Sequence, residues 1–349
     1  MRTIIVGNRK LARQLLLHTL KNDWNVVGAL IPDERLAAEQ ANFTPVEDII
    51  EGTECQLHRT EDINAGETVT WLRERAPDLC LCGGWAQIID ERVLNIPDQG
   101  FLGLHSSHLP EGRGGAPVNW GIINGDDRIW ISVFYYVSGV DAGDVLAQGS
   151  VPVEERDDVR TVFDRLAVKA CELVGSVHDN LVAERPDPEP QALADATYRP
   201  RRQPQDGLID WERSPHAQDD WIRAQTEPYP GAYTFHNRRR LTVWQAHPIE
   251  EDHNKVVPGT VIRINTGDGV DVCTGDGAIR LTRVQREEHP PRWADEYAAA
   301  TGVKVGDRLG RHTAPDNSLY AGIQGPTNQD TFETNRKYGD TGAVDIVAL

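Results

Sequence analysis

The sequence predicts an α/β protein with a mostly parallel sheet, followed by a second domain built as a small antiparallel β-barrel. Residues 1–100 alternate apolar runs with amphipathic stretches, a pattern typical of parallel strands covered by helices on both faces. A proline-rich stretch separates this part from a region of short strands closed by glycine-containing turns, which favours an antiparallel barrel. The length of 349 residues fits a two-domain organisation.

The spacing of apolar residues predicts the elements of the first domain. Its predicted strands are Thr3–Gly7, Trp24–Ile31, Asp78–Gly84 and Ile131–Val137. Helices are expected after the first strand, before Pro77, and from about Asp157 to Leu181, because apolar residues recur there at helical spacing. Alternation of this kind requires crossover connections between parallel strands.

A change in composition at residues 184–207 divides the chain, since this segment holds five prolines and few apolar residues. We expect a first domain over 1–185, a linker over 186–207, a barrel domain over 208–311 and a mobile tail over 312–349. The tail shows no apolar periodicity. The predicted strands of the barrel are Leu241–Trp244, Val261–Ile264, Val270–Cys273 and Ala278–Val284, after a helix near 215–226.

Composition argues against several classes of protein. No apolar stretch approaches the roughly 18–20 residues of a membrane span, and no signal-peptide pattern follows the N-terminus. Five cysteines do not make a disulfide framework, so we expect a cytoplasmic protein without membrane contacts. The net charge of −18 disfavours nucleic acid as a partner. A salt-loaded cytoplasm would weaken that argument by screening, so RNA remains an open alternative.

The segment from residue 100 to residue 148 contains the candidate chemistry. His105 and Asp141 each lie just beyond the end of a predicted parallel strand, which is where open α/β sheets bind ligands. A carboxylate beside a histidine orients the imidazole ring and stabilises its charged form. The sequence therefore predicts general acid–base chemistry at this edge of the sheet.

The spacing around His105 is more specific than the pair of residues alone. The pattern H-x-S-x-L-P-x-x-R-G-x-x-P-x-x-W, followed by D-x-G-D, resembles the signature of the folate-dependent formyltransferases. Further segments are similar to that family: Leu81–Leu94, Ile209–Trp211 and Tyr229–Ala232. The resemblance implies a Rossmann-like catalytic domain with the formyltransferase fold. It also implies a C-terminal barrel of the oligonucleotide-binding (OB) type.

The resemblance implies transfer of a formyl group from 10-formyltetrahydrofolate to a primary amine. His105 would stabilise the negative oxygen of the tetrahedral intermediate, and Asp141 would hold the imidazolium and help to remove the amine proton. The third catalytic position of the family is an Asn, and here it is Gly103. Either a backbone N–H, a water or a side chain such as Asn119 replaces the missing amide, or the site is weakened.

The resemblance also implies the binding residues. The folate would lie between the Trp85–Ile88 loop and the turn from Val137 to Asp141; the residues expected to bind it are Trp85, Gln87, Ile88, Val137, Val140 and Asp141. The substrate loop would contribute Ser107, Pro110, Arg113 and Gly114. NAD is not expected, because the first turn, from Gly7, holds a single glycine. No metal is expected, because His105 and His108 lack a Cys or acidic partner at ligand spacing.

The accepting amine is left open between three alternatives. The preferred acceptor is an amino sugar carried by a nucleotide, because the loop after Pro110 holds one basic residue, Arg113, and the pocket loop is similar to that of sugar-acting relatives. The second is methionyl-tRNA, and the third is a module that binds folate or sugar without catalysis. A homodimer is a further possibility.

Overall fold

The computed structural model describes residues 1–35, 44–249 and 256–310. Its N-terminal unit contains a seven-stranded sheet in the order β3-β2-β1-β4-β5-β7-β8. These strands are β1 (Arg2–Val6), β2 (Asn25–Pro32), β3 (Gln56–Thr60), β4 (Leu79–Cys82), β5 (Phe101–His105), β7 (Arg128–Tyr135) and β8 (Val145–Pro152). The first five are mutually parallel, whereas β7 and β8 are antiparallel additions at one edge.

Helices cover both faces of this sheet. They are α1 (Lys10–Lys21), α2 (Glu47–Ile50), α3 (Gly66–Arg75), α4 (Glu91–Leu94), α5 (Pro117–Ile123) and α6 (Val159–Val182). Helix α6 begins where the sequence predicts: the side chain of Asp158 accepts a hydrogen bond from the N–H of Thr161 at 2.9 Å and forms a capping box.

Neighbouring residues of β1 belong to different core clusters. Ile5 packs with Leu15 and Val174, which come from α1 and α6. Ile4 packs instead with Leu72, which comes from α3, and with other residues of the opposite face. A central strand that is buried on both faces must be apolar throughout, which explains the continuous apolar run in this segment.

The segment predicted as a linker lies along the N-terminal unit. Within it, β9 (Tyr198–Arg199) pairs in parallel with β6 (Arg113–Gly114). Glu189 forms two backbone hydrogen bonds with Val145 at 2.8 Å, and the indole N–H of Trp120 donates to the carbonyl of Pro200 at 2.8 Å. The proline-rich composition excludes long regular elements here, but it leaves the segment able to bind the sheet edge and the loops beside it.

The C-terminal unit is an antiparallel sheet in the order β10-β11-β14-β13-β12, with β15 paired to β14. Its elements are α7 (Pro215–Arg223), β10 (Ala232–His236), β11 (Arg239–Ile249), β12 (Val261–Asn265), β13 (Gly269–Cys273), β14 (Ala278–Arg286), β15 (Arg292–Trp293) and α8 (Ala294–Thr301). The end of the described chain bridges the two edges: Gly310 pairs with Phe235, and Asp307 accepts from Val261. The arrangement is consistent with the predicted barrel.

One prediction about the sheet is wrong. Asp141 was expected beyond a parallel strand, but β7 runs antiparallel to β5, so that Tyr135 at its end pairs with Leu102. The loop that follows β7 folds back to bring Asp141 beside His105. No helix among the described residues is long and apolar enough to cross a membrane, and the predicted tail lies outside those residues.

Candidate active site

His105 is the last residue of β5, with 8% of its surface exposed. Its Nε2 lies 2.8 Å from the carbonyl oxygen of Gly112, and its Nδ1 lies 3.5 Å from Oδ2 of Asp141. Both ring nitrogens therefore face hydrogen-bond acceptors. The imidazolium, which carries a proton on each nitrogen, is the form that satisfies both neighbours.

Asp141 is held in place from two sides. Its backbone lies in the left-handed region, with φ of 49°, and its Oδ2 accepts a hydrogen bond from the N–H of Gly114 at 2.9 Å. The side-chain amide of Gln191 donates to the carbonyls of Asp141 and Gly143, at 2.9 and 2.6 Å. The turn that carries the carboxylate is thus fixed by the substrate loop and by the linker.

The space beside Gly103 is filled by an aromatic ring. A Cβ placed on Gly103 would lie 2.5 Å from Cδ1 of Tyr136, closer still to Cε1 of the same ring, and 2.9 Å from Cε1 of Phe134. The candidate replacement Asn119 lies elsewhere, because its amide donates to the carbonyl of Ala224 at 2.7 Å. Asn119 therefore ties the two units together and does not supply the missing amide of the family.

Tyr136 follows β7 directly, and its N–H donates to the carbonyl of Phe101 at 2.9 Å. Burial raises the pKa of its phenol well above the usual value; the neighbouring Cys82 and Asp141 raise it further, and Arg9 opposes them. These three neighbours come from the end of β4, the Asp141 turn and the turn after β1. The phenol consequently remains protonated near neutral pH among the groups that line this edge of the sheet.

The first part of the substrate loop is held by polar contacts within the protein. The hydroxyl of Ser107 donates to the carbonyl of Glu111 at 2.6 Å, and a cis peptide bond joins Leu109 to Pro110. Ser132 donates to the carbonyl of Ser107 at 2.7 Å. Ser107 and Pro110 therefore contribute to the conformation of the loop.

Arg113, predicted as part of the substrate loop, is buried against the linker. Only 1% of the surface of Arg113 is exposed. Its guanidinium donates to Oε1 of Gln191 at 3.1 and 2.7 Å and to the hydroxyl of Tyr198 at 3.2 Å. Contacts with the linker use three of its five N–H donors. Gly114 keeps its predicted place at the site through its bond to Asp141, and a Cβ there would lie 2.7 Å from the carbonyl oxygen of Arg199.

The residues predicted to bind folate include three exposed apolar side chains on two loops. Ile88, Val137 and Val140 are 61, 46 and 43% exposed. The indole nitrogen of Trp85 is buried and lacks a hydrogen-bond partner among the described residues. Gln87 instead binds the protein: its Oε1 accepts from the N–H of Ile63 at 3.2 Å.

Two residues of the site have no local signal in the sequence. Gln191 stands in a segment whose composition predicts a linker, and Tyr136 stands at the end of a strand where an aromatic residue is ordinary. Contact between Gln191 and the Asp141 turn depends on how the linker docks. The position of the Tyr136 ring depends on the register of β7 against β5, and Gly103 was the indirect signal that something else fills this space.

The two-domain fold and the His105–Asp141 pair define a group-transfer enzyme of the formyltransferase type. A family model described as formyl transferase matches residues 1–177, and one described as formyl transferase, C-terminal domain, matches residues 201–301. The chain belongs to the formyl transferase family. This confirms the family, fold class and enzyme class predicted from the sequence, and formyl-tetrahydrofolate is the donor that this family uses.

The proteins that this chain is similar to include formyltransferases named for different substrates. The methionyl-tRNA formyltransferase of Caldanaerobacter subterraneus subsp. tengcongensis is 30% identical over 88% of this chain and 100% of its own length. HypX from Aquifex aeolicus in complex with tetrahydrofolic acid matches 88% of this chain, which spans 48% of HypX, with a TM-score of 0.63 and 18% identity. WlaRD, a sugar 3N-formyl transferase, matches 83% of this chain and 99% of its own, with a TM-score of 0.60 and 14% identity. The two structural matches support the fold alone.

Proposed function

We propose that this protein transfers the formyl group of 10-formyltetrahydrofolate to a primary amine of its substrate, and that His105 lies at the reaction centre. The observation that carries the proposal is the contact of 3.5 Å between the buried His105 and the partly buried Asp141. The unpartnered indole N–H of Trp85 and the exposed apolar side chains of Ile88, Val137 and Val140 support a planar, partly apolar donor beside it.

The residues of the site would act in sequence on the proton and on the developing charge. As the neutral amine attacks the formyl carbon, the carbonyl electron pair moves onto the oxygen, and the imidazolium of His105 stabilises the resulting negative charge. The formyl oxygen takes the place at Nε2 that the carbonyl of Gly112 holds in this structure. Asp141 orients the ring through its contact with Nδ1 and accepts the amine proton through water. Collapse of the intermediate breaks the bond to the folate nitrogen, which leaves with a proton.

The preferred acceptor is a nucleotide-linked amino sugar. The net charge of −18 opposes the approach of a large phosphate polyanion, whereas a diphosphate group needs few cations. Methionyl-tRNA is the second candidate, because the relative that is 30% identical over its full length is a methionyl-tRNA formyltransferase. A module that binds folate or sugar without turnover is the third alternative.

The test is a direct assay of formyl transfer from 10-formyltetrahydrofolate to a panel of amino-sugar nucleotides and to methionyl-tRNA. His105→Asn and Asp141→Ala should each lower kcat by about 10²–10⁴, and the double variant should be little worse than either single one, because the two groups act as a unit. A folate analogue should still bind each variant.

The outcomes separate the alternatives. Transfer to tRNA with a steep loss of activity on added salt would select the second acceptor, because each phosphate contact releases counterions. Wild-type binding of folate without any turnover would select the non-catalytic module. More than about a tenth of wild-type activity in His105→Asn would place the chemistry on another residue.

A further inference from the structure

The strand position two residues before His105 faces the same side as the imidazole, because side chains alternate along a strand. In this chain that position, Gly103, carries no side chain, and the ring of Tyr136 occupies the volume into which one would project. The glycine and the tyrosine are therefore complementary: the ring can lie here only because residue 103 has no Cβ.

The edge of the ring that carries Cε1 and Cδ1 faces the Cβ position of residue 103. Cε1 is the Tyr136 atom nearest to the Cβ position of residue 103, and the phenolic oxygen is bonded to the carbon next to Cε1. That oxygen consequently lies within about 5 Å of the point where an Asn side chain would begin. A hydroxyl at this distance can reach the volume that an Asn amide would serve.

The phenol is available as a donor beside His105. Among the described residues, no hydrogen bond is formed by the hydroxyl of Tyr136. Asn119 is committed to the carbonyl of Ala224. Arg9, whose Nε is buried without a partner in the described part of the chain, lies near the phenol.

We propose that Tyr136 replaces the missing Asn of the family and donates the hydrogen bond of its hydroxyl to the formyl oxygen as that oxygen becomes negative. This inference rests on the proposed function. The phenol keeps its proton throughout, because the electron pair of the C=O bond moves onto the oxygen and returns when the folate nitrogen leaves. Tyr136 thus lowers the energy of the intermediate without taking part in proton transfer.

The test compares two substitutions that each remove one hydroxyl. Tyr136→Phe keeps the ring that fills the space over Gly103, and should lower kcat by about 10²–10³, the usual cost of one oxyanion donor. KM for the folate should change little. Tyr135→Phe is the matched control: its side chain belongs to the cluster that packs against α1 and α6, and its kcat should equal that of the wild type.

A second pair of variants tests the exchange itself. Gly103→Asn alone should lower activity, because the new side chain collides with the ring of Tyr136. Adding Tyr136→Ala removes the nearer obstacle, so that only the ring of Phe134, at 2.9 Å from the new Cβ, has to shift. The double variant Gly103→Asn/Tyr136→Ala should then have a kcat at least tenfold higher than Tyr136→Ala alone. An increase in kcat in Gly103→Asn alone would contradict a site rebuilt around glycine.

The failure of this inference can be told apart from the failure of the proposed function. Hydrolysis of the formyl donor by water passes through the same oxyanion and needs no knowledge of the amine, so each variant is assayed by hydrolysis as well as by transfer. If the wild type shows neither activity, both proposals are wrong. If the wild type turns over, His105→Asn does not, and Tyr136→Phe stays within about threefold of wild type, the role of Tyr136 alone is refuted.

Discussion

Gln191, in the linker, should hold the Asp141 turn in place. Two substitutions of Gln191 should differ in their effect on stability while both lower activity. Its Oε1 receives two hydrogen bonds from the buried guanidinium of Arg113, and its amide donates to the carbonyls of Asp141 and Gly143. Gln191→Ala removes all four bonds. Gln191→Glu keeps an acceptor for the guanidinium but loses both donors to the turn.

The magnitudes follow from what each substitution leaves buried. In Gln191→Ala, the guanidinium of Arg113 keeps only the hydroxyl of Tyr198, and leaving buried donors without a partner costs about 1–3 kcal/mol, or more for a charged group. In Gln191→Glu a carboxylate pairs with Arg113, so the loss of stability should be smaller. The Asp141 turn is released in both variants, and a misplacement of about 1 Å can lower the rate by about 10²-fold.

The assay combines urea unfolding with formyl-donor turnover. We expect the free energy of unfolding to decrease in the order wild type, Gln191→Glu, Gln191→Ala, with kcat reduced in both variants. Gln205→Ala is the control, because this exposed glutamine of the same segment touches no site residue. Wild-type kcat in Gln191→Glu would refute the role of Gln191 in holding Asp141.

Two further predictions concern the contact between the units. Burial raises the pKa of Asp219 to about 7. Because this lies above the unfolded value of 3.8, the free energy of unfolding should decrease as pH rises through this range. Asp219→Asn should remove up to about 3 kcal/mol of the decrease that urea unfolding measures between about pH 5 and about pH 8. An unchanged pH slope would contradict a buried Asp219. Arg202 stacks on Trp120 at 4.9 Å and Trp221 at 4.6 Å; Arg202→Gln should cost about 1–3 kcal/mol, and an unaltered Tm would show that neither stack contributes.

The sequence predicts the elements that local patterns determine. Buried parallel strands such as Asp78–Gly84 are visible as apolar runs, and β4 is found inside that range. The antiparallel direction of β7 is not visible, because an apolar run has the same composition whichever way it pairs. The sequence therefore predicts the position of Asp141 at the site but not its cause. The loop after β7, and not the end of a parallel strand, brings Asp141 to His105.

Side-chain contacts between distant parts of the chain limit how much of the site can be predicted from the sequence. Arg113 belongs to the family pattern, but its hydrogen bonds depend on Gln191, a residue 78 positions later. No local pattern in the sequence predicts that the linker docks there. Gly103 is the opposite case. The sequence shows that a glycine stands where the family has an Asn, but it does not show which side chain fills the space. A missing side chain in a buried site leaves either a cavity, which is costly, or a neighbour that fills it. The ring of Tyr136 fills the space beside Gly103. The glycine that removes the amide of the family therefore also makes room for the phenol.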